Sequence, residues 1–88
     1  MNLVYKALSD PTRRRILELL RQQDLTAGEL AGNFDLTKPT MSKHFSILQA
    51  ADLIQGEKSG TSITYRLNVS VLEEALLALM NSFQLNRD

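Results

Sequence analysis

The sequence predicts a mainly helical fold of the α+β class that carries one β-hairpin. Apolar residues recur every three or four positions through most of the chain, which is the spacing of a helix with one buried face. Residues with N-capping side chains stand directly before these segments, at Asp10, Thr26 and Thr37. Between residues 63 and 67 the spacing changes to every second position, as in a strand with one buried face.

An N-capping residue followed by a proline separates the first two helices. Residues 3 to 8 have the apolar spacing of a short helix. Asp10 can cap the next helix, and Pro11 suits its first position because a proline has no amide hydrogen to leave unpaired. The apolar pattern of this second helix, from Ile16 to Leu20, ends near Gln22.

The next two helices have the pattern of a helix-turn-helix. Thr26 and Glu29 have the spacing of a capping box, which predicts a third helix that runs to about Phe34. Thr37 then caps a fourth helix, residues 37–51. Two helices joined by about three residues are typical of this motif. Their buried faces are expected to contain Leu30, Phe34, Met41, Phe45 and Leu48.

A two-stranded hairpin is predicted after the fourth helix. Residues 54–58 form its first strand, Ser59-Gly60 its tight turn and residues 62–67 its second strand. Ile63, Tyr65 and Leu67 are expected to face inward. Because a lone hairpin is unstable in water, this inner face must pack on the helices, as the wing of a winged helix-turn-helix does.

The last helix is expected to run from Val69 toward Leu85, and it is more apolar than a core of this size requires. The excess predicts a homodimer. We expect the dimer interface to contain Val4, Leu8, Leu72, Leu76, Leu79, Met80 and Phe83. The predicted order is four helices, the hairpin and a fifth helix, all within a single domain of residues 1–88.

Composition limits the chemistry of the chain. The 88 residues include no cysteine, which excludes disulfides, thiolate metal sites and cysteine nucleophiles. The longest apolar run, residues 75–80, is far too short to cross a membrane, and no signal peptide is evident, so a cytoplasmic protein is expected. The net charge is zero, but residues 37–66 are basic and the chain from Val69 is acidic. One surface of a neutral protein can therefore still be positive.

The outward face of the fourth helix is the candidate for binding double-stranded DNA. Short side chains would let this helix enter a groove, while its lysines reach phosphates or guanine edges. The free amides at the helix start are expected to add an anion-binding end. The candidate residues are Thr37, Lys38, Pro39, Thr40, Ser42, Lys43 and Ser46. The alternative is an ordinary solvated helix face, which the surrounding motif makes the weaker interpretation.

The hairpin loop is a second candidate contact with DNA, through the minor groove or the backbone. Its residues are Lys58, Ser59, Gly60 and Thr61. An ordinary polar turn explains this loop equally well. Arg66, on the second strand, is a weaker candidate for a phosphate contact.

The arginine run at 13–15 and the single histidine are both expected to have structural roles. The run Arg13-Arg14-Arg15 opposes the macrodipole at the start of its helix, so pairing with Asp10, Glu18 or acids of another helix is expected. His44, the single histidine, flanks the apolar face of the fourth helix, where a packed or hydrogen-bonded role is expected. No nucleophile with a neighbouring base and no phosphate-binding loop is recognisable, so an enzyme is not predicted.

These segments resemble the ArsR/SmtB family of bacterial winged-helix repressors, and among its members the short autorepressors. The matching residues are 8–17, 30–31, 38–45, Leu48, 51–54, Gly60 and 65–67. The resemblance implies a homodimer formed by the first and last helices. It implies binding to an inverted-repeat operator that overlaps a promoter, blocking transcription until a signal releases the protein. It places base contacts at Lys38, Pro39, Ser42 and Lys43.

The chain departs from the metal-sensing members of that family. Those members carry a cysteine-containing box on the third helix, where this chain has residues 24–30 without a thiolate. Others bind zinc through histidines and acids of the last helices, where only Glu73 and Glu74 are present. Tetrahedral zinc sites usually need several nitrogen or sulfur ligands. Neither a metal nor another cofactor is therefore predicted.

The predicted function is an autoregulatory transcriptional repressor that binds DNA as a homodimer. A regulatory protein that covers the DNA-binding face is one candidate for the releasing signal, although no residue pattern identifies it. One alternative is a winged helix that binds proteins and ignores DNA. Another is a member with an atypical metal or effector site.

Overall fold

The computed structural model describes residues 2–85, which form five helices and a three-stranded antiparallel sheet. The helices are α1 (Asn2–Leu8), α2 (Pro11–Gln22), α3 (Ala27–Ala31), α4 (Lys38–Ala50) and α5 (Val69–Ser82). The strands are β1 (Leu25–Thr26), β2 (Ile54–Ser59) and β3 (Ser62–Leu67), in the order β1-β3-β2. The predicted winged helix-turn-helix is confirmed, with α3 and α4 as the helix pair and the β2–β3 hairpin as the wing.

All three predicted caps are present. The Asp10 carboxylate accepts a hydrogen bond from the main-chain N–H of Arg13 at 3.0 Å. Both bonds of the capping box are formed: Glu29 N–H donates to Thr26 Oγ1 at 3.1 Å, and Thr26 N–H donates to Glu29 Oε1 at 2.8 Å. Thr37 caps α4 by accepting from the main-chain N–H of Thr40. These side chains satisfy amides that the first turn of a helix leaves unpaired, so they fix where α2, α3 and α4 begin.

Helix α3 ends at Ala31, so the prediction that it reaches Phe34 is wrong. The Gly32 N–H donates to the Gly28 carbonyl at 3.0 Å, and the Asn33 side-chain amide donates to the Glu29 carbonyl at 3.0 Å. These bonds satisfy the carbonyls at the end of the helix and close it. Phe34 is only partly buried, and it packs against the core from the turn.

The strand β1 is an addition to the predicted two-stranded hairpin. Leu25 pairs with Tyr65, and Thr26 pairs with Thr64, which makes β3 the central strand. Two residues are too few to show an alternating pattern, so this strand exists only through its pairing. Thr26 therefore ends a strand and caps a helix, which ties the start of α3 to the wing.

One hydrophobic core joins the helices to the wing. Its largest fully buried side chains are Ile16, Leu30, Met41, Leu48 and Leu53. On β3 only Tyr65 is buried; Ile63 and Leu67 are partly buried and pack against the core, which confirms the predicted inward face. The hairpin is thus stabilised by packing on the core as well as by the hydrogen bonds between its strands.

Helix α5 makes little use of that core, because Ala75 is its single buried residue. It ends at Ser82 and not near Leu85, because Gln84 adopts a left-handed φ of 54°. The N–H of Leu85 then donates to the Met80 carbonyl at 2.9 Å, which closes the helix as a Schellman motif does. Within residues 2–85, no helix is long and apolar enough to cross a bilayer.

The arginine run has a different role from the one expected for two of its members. Arg15 pairs with Glu18 at 3.1 Å, as predicted. Arg13 and Arg14 donate from their side chains to main-chain carbonyls in the last turn of α1, and not to acids. These carbonyls carry the partial negative charge of a helix C-terminus, so they are favourable partners for a guanidinium.

Candidate nucleic-acid interface

The outward face of α4 is fully on the surface. Met41, Phe45 and Leu48 are buried on the opposite side of the helix. All seven residues proposed from the sequence are exposed, namely Thr37, Lys38, Pro39, Thr40, Ser42, Lys43 and Ser46. The face therefore combines two lysines with short polar side chains and carries no large apolar residue.

The start of α4 offers fewer free amides than the sequence implied. Pro39 has no amide hydrogen, and the N–H of Thr40 donates to Thr37 Oγ1 at 3.4 Å. The Thr37 hydroxyl in turn donates to Thr40 Oγ1 at 2.9 Å. Since these groups satisfy one another, an anion at this end would meet the Lys38 side chain more readily than main-chain amides.

Nothing in the sequence pattern pointed to Lys6, which the fold brings to the same surface. Helix α1 packs against α4, and a shallow depression of about 200 Å³ lies between them. Its lining residues are Leu3, Lys6, Lys43, Ser46, Ile47 and Ala50. Because Lys6 is 37 positions before Lys43, only the tertiary fold reveals that both cations border one depression.

The wing loop is exposed at Lys58, Ser59, Gly60 and Thr61. The predicted turn is displaced by one residue, because Ser59 pairs with Ser62 and leaves Gly60-Thr61 as the two-residue turn. Gly60 has a φ of 62°, and Thr61 does not share the left-handed conformation. A glycine at the first turn position with positive φ is what a type II′ turn requires, so Gly60 sets the shape of the wing tip.

Arg66 is exposed on β3, where the neighbouring strand binds its side chain. Its Nε donates to Gln55 Oε1 on the neighbouring strand at 3.0 Å. The depression around it has a volume of about 200 Å³ and is also lined by Asp24 and Glu57. Two acids beside the guanidinium weaken its candidacy for a phosphate contact. Among residues 2–85, no three His, Asp or Glu side chains are close enough together to hold a metal ion.

An aromatic contact connects the wing to α4. The ring of Tyr65 lies against the ring of Phe45, with centroids 4.9 Å apart and planes tilted by 33°. Burial raises the pKa of the Tyr65 hydroxyl. Gly56 makes room for this ring, because a Cβ at that position would lie 2.9 Å from Tyr65 Cε1 and 3.1 Å from Ile63 Cγ2. The position of the wing relative to α4 therefore depends on a glycine.

Substituting Gly56→Ala is expected to lower the free energy of unfolding by about 1–3 kcal/mol, the usual effect of overpacking a well-packed site. Urea denaturation of the purified variant measures this loss. Gly28→Ala is the matched control, because a Cβ at Gly28 meets its nearest neighbour at an ordinary 3.9 Å. Alanine also favours the helix, so this control should be neutral or more stable by up to about 1 kcal/mol. Equal stability of both variants would contradict the assigned role of Gly56.

The residues predicted for a dimer interface fall into two groups. Val4 is only 7% exposed and belongs to the core of the protomer. The other six are at least partly accessible, namely Leu8, Leu72, Leu76, Leu79, Met80 and Phe83. An apolar groove of about 650 Å³ lies between α1, α2 and α5, and Leu8, Leu72, Leu76 and Leu79 line it. Phe83, beyond the end of α5, is 66% exposed.

Known regulators are similar to this chain in sequence and in fold. Residues 10–56 match the family model described as bacterial regulatory protein, arsR family. The transcriptional repressor SdpR of Bacillus subtilis is 46% identical over 81 residues, which cover 92% of this chain and 90% of that protein. The arsenical resistance operon repressor of Staphylococcus xylosus is 36% identical, over 83% of this chain and 70% of that protein.

Solved structures agree with the sequence relatives. The crystal structure of an ArsR family transcriptional regulator superposes with a TM-score of 0.83 at 32% identity, over 99% of this chain and 92% of that one. Both the superposed region and the family match, residues 10–56, include α3 and α4, and α4 presents Lys38 and Lys43. The chain therefore belongs to the ArsR family of bacterial regulatory proteins, and it is a DNA-binding transcriptional repressor.

Proposed function

We propose that the protein binds an inverted-repeat operator as a homodimer, with α4 in the major groove and the wing alongside. The observation that carries this proposal is the exposed face of α4, where Ser42 and Ser46 are short enough for close approach to a groove floor. Lys38 and Lys43 flank them and supply donors for guanine edges or phosphates. Protein-docking surfaces are typically apolar at their centre, so the polar and basic character of this face favours DNA.

Within this interface, Lys38, Pro39, Ser42 and Lys43 are the residues proposed to contact bases. Thr37 and Thr40 are proposed mainly to hold the helix start, since their hydroxyls bond to each other. The wing residues 58–61 are proposed to contact the neighbouring backbone or minor groove. Lys6 adds a charge beside Lys43 and is proposed to contact a phosphate.

The homodimer is proposed because α5 exposes a large apolar surface. On the helix, Leu76, Leu77, Leu79 and Met80 are between 38% and 53% exposed, and just after it Phe83 and Leu85 are 66% and 62% exposed. Adjacent apolar side chains at this level of exposure are typical of an interaction surface. A second copy is the proposed occupant of the groove between α1, α2 and α5. Val4 is left out of the interface, since the protomer already buries it.

Three wider features complete the proposal. The chain is proposed to act as a single domain, which is supported by one core that joins α1 through α5. It is proposed to repress its own promoter, as an autorepressor does. It is proposed to act in the cytoplasm, because a bacterial regulator must reach the chromosome.

Selection of bound duplexes from a random library tests the operator. The recovered sequences are expected to contain two inverted half-sites with centres about 10–10.5 base pairs apart, or a multiple of this distance. With phosphate contacts from Lys6 and Lys58 of each of two protomers, affinity for the selected duplex should fall at least about a hundredfold between about 50 and 200 mM salt. Recovery of isolated half-sites would argue against the dimer, and a lack of enrichment would argue against specific binding.

Footprinting on the promoter of its own gene then tests autoregulation.

A further inference from the structure

Arg13 is buried, with 8% of its surface exposed, although it carries a charge. Taking a guanidinium out of water costs free energy unless its donors find partners. The side chain of Arg13 meets this requirement at three places. Its Nε donates to the Ala7 carbonyl at 2.9 Å, and its Nη2 donates to the Lys6 carbonyl at 3.0 Å. Its Nη1 lies 3.2 Å from Nδ1 of His44 on α4.

The contact between Arg13 and His44 defines the state of the imidazole. An arginine has donors and no acceptor, so Nδ1 of His44 must be the accepting nitrogen. The ring is therefore neutral while this bond exists, and its proton is on Nε2. A protonated ring would place an N–H against the N–H of the guanidinium and a positive charge against another. Protonation and the hydrogen bond are thus mutually exclusive.

His44 follows Lys43 directly on the helix that presents the DNA-facing side chains. Arg13, for its part, is fixed to the last turn of α1 by two hydrogen bonds. One side chain therefore connects the α1–α2 corner to α4 across 31 positions of sequence. We propose that Arg13 is a positioning residue for DNA recognition, which holds α4 in its binding orientation through neutral His44, and that protonation of His44 releases this hold. The proposal rests on the proposed function of α4.

Other charged groups surround the contact. Asp10, the cap of α2, is within electrostatic range of Arg13 and His44, while Lys6 and Lys43 border the depression between α1 and α4. Burial acts to raise the pKa of the Asp10 carboxyl, but the hydrogen bond from the Arg13 N–H and the charge of Arg13 lower it overall, and a protonated His44 would act in the same direction. Asp10 therefore keeps its charge where imidazoles commonly titrate, between about pH 5 and 8.

The test compares the affinity of the protein for the selected operator duplex at about pH 8 and pH 5. Wild type is expected to bind about tenfold more weakly at the lower pH, the effect of losing one hydrogen bond to a charged group. His44→Asn should keep the affinity of wild type at the higher pH and lose the pH dependence, because its Oδ1 can accept from Arg13 and does not titrate. His44→Leu, which has no acceptor, should bind weakly at both values.

Three results would overturn the proposal. One is stronger binding by wild type at the lower pH, which would indicate that protonated His44 contacts a phosphate. Another is a pH profile of His44→Asn that matches wild type. The third is wild-type affinity of His44→Leu at the higher pH. Thermal unfolding of each variant identifies any loss of affinity that comes from a loss of folded protein.

A second measurement does not depend on DNA. Because His44 is the single histidine, the nitrogen chemical shifts of its ring can be assigned without ambiguity. A neutral ring with the proton on Nε2 is expected at the higher pH, whereas a proton on Nδ1 would exclude the bond from Arg13. This measurement tests the contact between Arg13 and His44 independently of DNA binding. If the duplex binds at neither pH, the proposed function is refuted, and the positioning role is refuted with it.

Discussion

Reversing both lysines of α4, in the variant Lys38→Glu/Lys43→Glu, is expected to abolish specific binding to the operator. Both side chains are exposed on the face that presents Ser42 and Ser46. A good contact to a base edge contributes about 1–3 kcal/mol, and the reversed charges also repel phosphates, so a loss of at least about a hundredfold is expected. Fluorescence anisotropy with the selected duplex measures this loss.

The fold of this variant should survive. Lys38 is in the first turn of α4, where a negative side chain interacts favourably with the helix macrodipole. Circular dichroism and thermal unfolding should therefore match wild type. Each single reversal can be compared with Arg15→Glu, which changes the net charge equally and replaces an exposed ion pair with Glu18 by an exposed like-charge pair of small energetic effect. Wild-type affinity of the double variant for the operator would refute the major-groove placement of α4.

Substituting Leu76→Glu is expected to dissociate the homodimer and, with it, to remove tight operator binding. Leu76 lines the apolar groove and is 46% exposed in the protomer. Burying the exposed half of this leucine contributes roughly 0.7–1.5 kcal/mol, and a two-fold interface contains each residue twice. The lost apolar burial should therefore raise the dimer dissociation constant at least about tenfold, and a buried carboxylate raises it further. Sedimentation equilibrium measures it directly.

Ser70→Glu is the matched control for this variant. Ser70 is exposed in the first turn of the same helix, and nine residues at 100° each place it opposite Leu79. It adds the same charge to α5 away from the apolar groove, at the helix end where a negative side chain is favourable, so the dimer and the affinity for the operator should be kept. A dimeric Leu76→Glu protein with full operator affinity would show that this part of α5 does not form the interface.

Much of the candidate site could be predicted because its signals are local. The start of α4 depends on Thr37 and on Pro39, and the orientation of its polar face follows from the spacing of three buried residues. The same holds for the caps at Asp10 and Thr26. Each of these features involves residues within about one helical turn or two, so the sequence displays them directly.

The features that could not be predicted depend on distant partners. β1 becomes a strand only through pairing with β3, about 40 positions later. Arg13 finds its carbonyls and His44 only once α1, α2 and α4 are packed, so a charge pattern alone suggested acids instead. The clash that requires Gly56 involves Tyr65, its partner in the ladder. Lys6 likewise comes close to Lys43 only when α1 packs against α4.

The sparse packing of α5 has a consequence for how repression responds to protein level. In this helix of 14 residues only Ala75 is buried, and Val71 and Leu72 are partly buried against the core, so its own protomer covers only part of its apolar surface. If a second copy supplies the remaining stabilisation, then dilution both separates the subunits and loosens this helix, by mass action. Operator occupancy should then rise more steeply than a hyperbola with total protein. An autorepressor of this type would switch off its promoter over a narrow range of concentration.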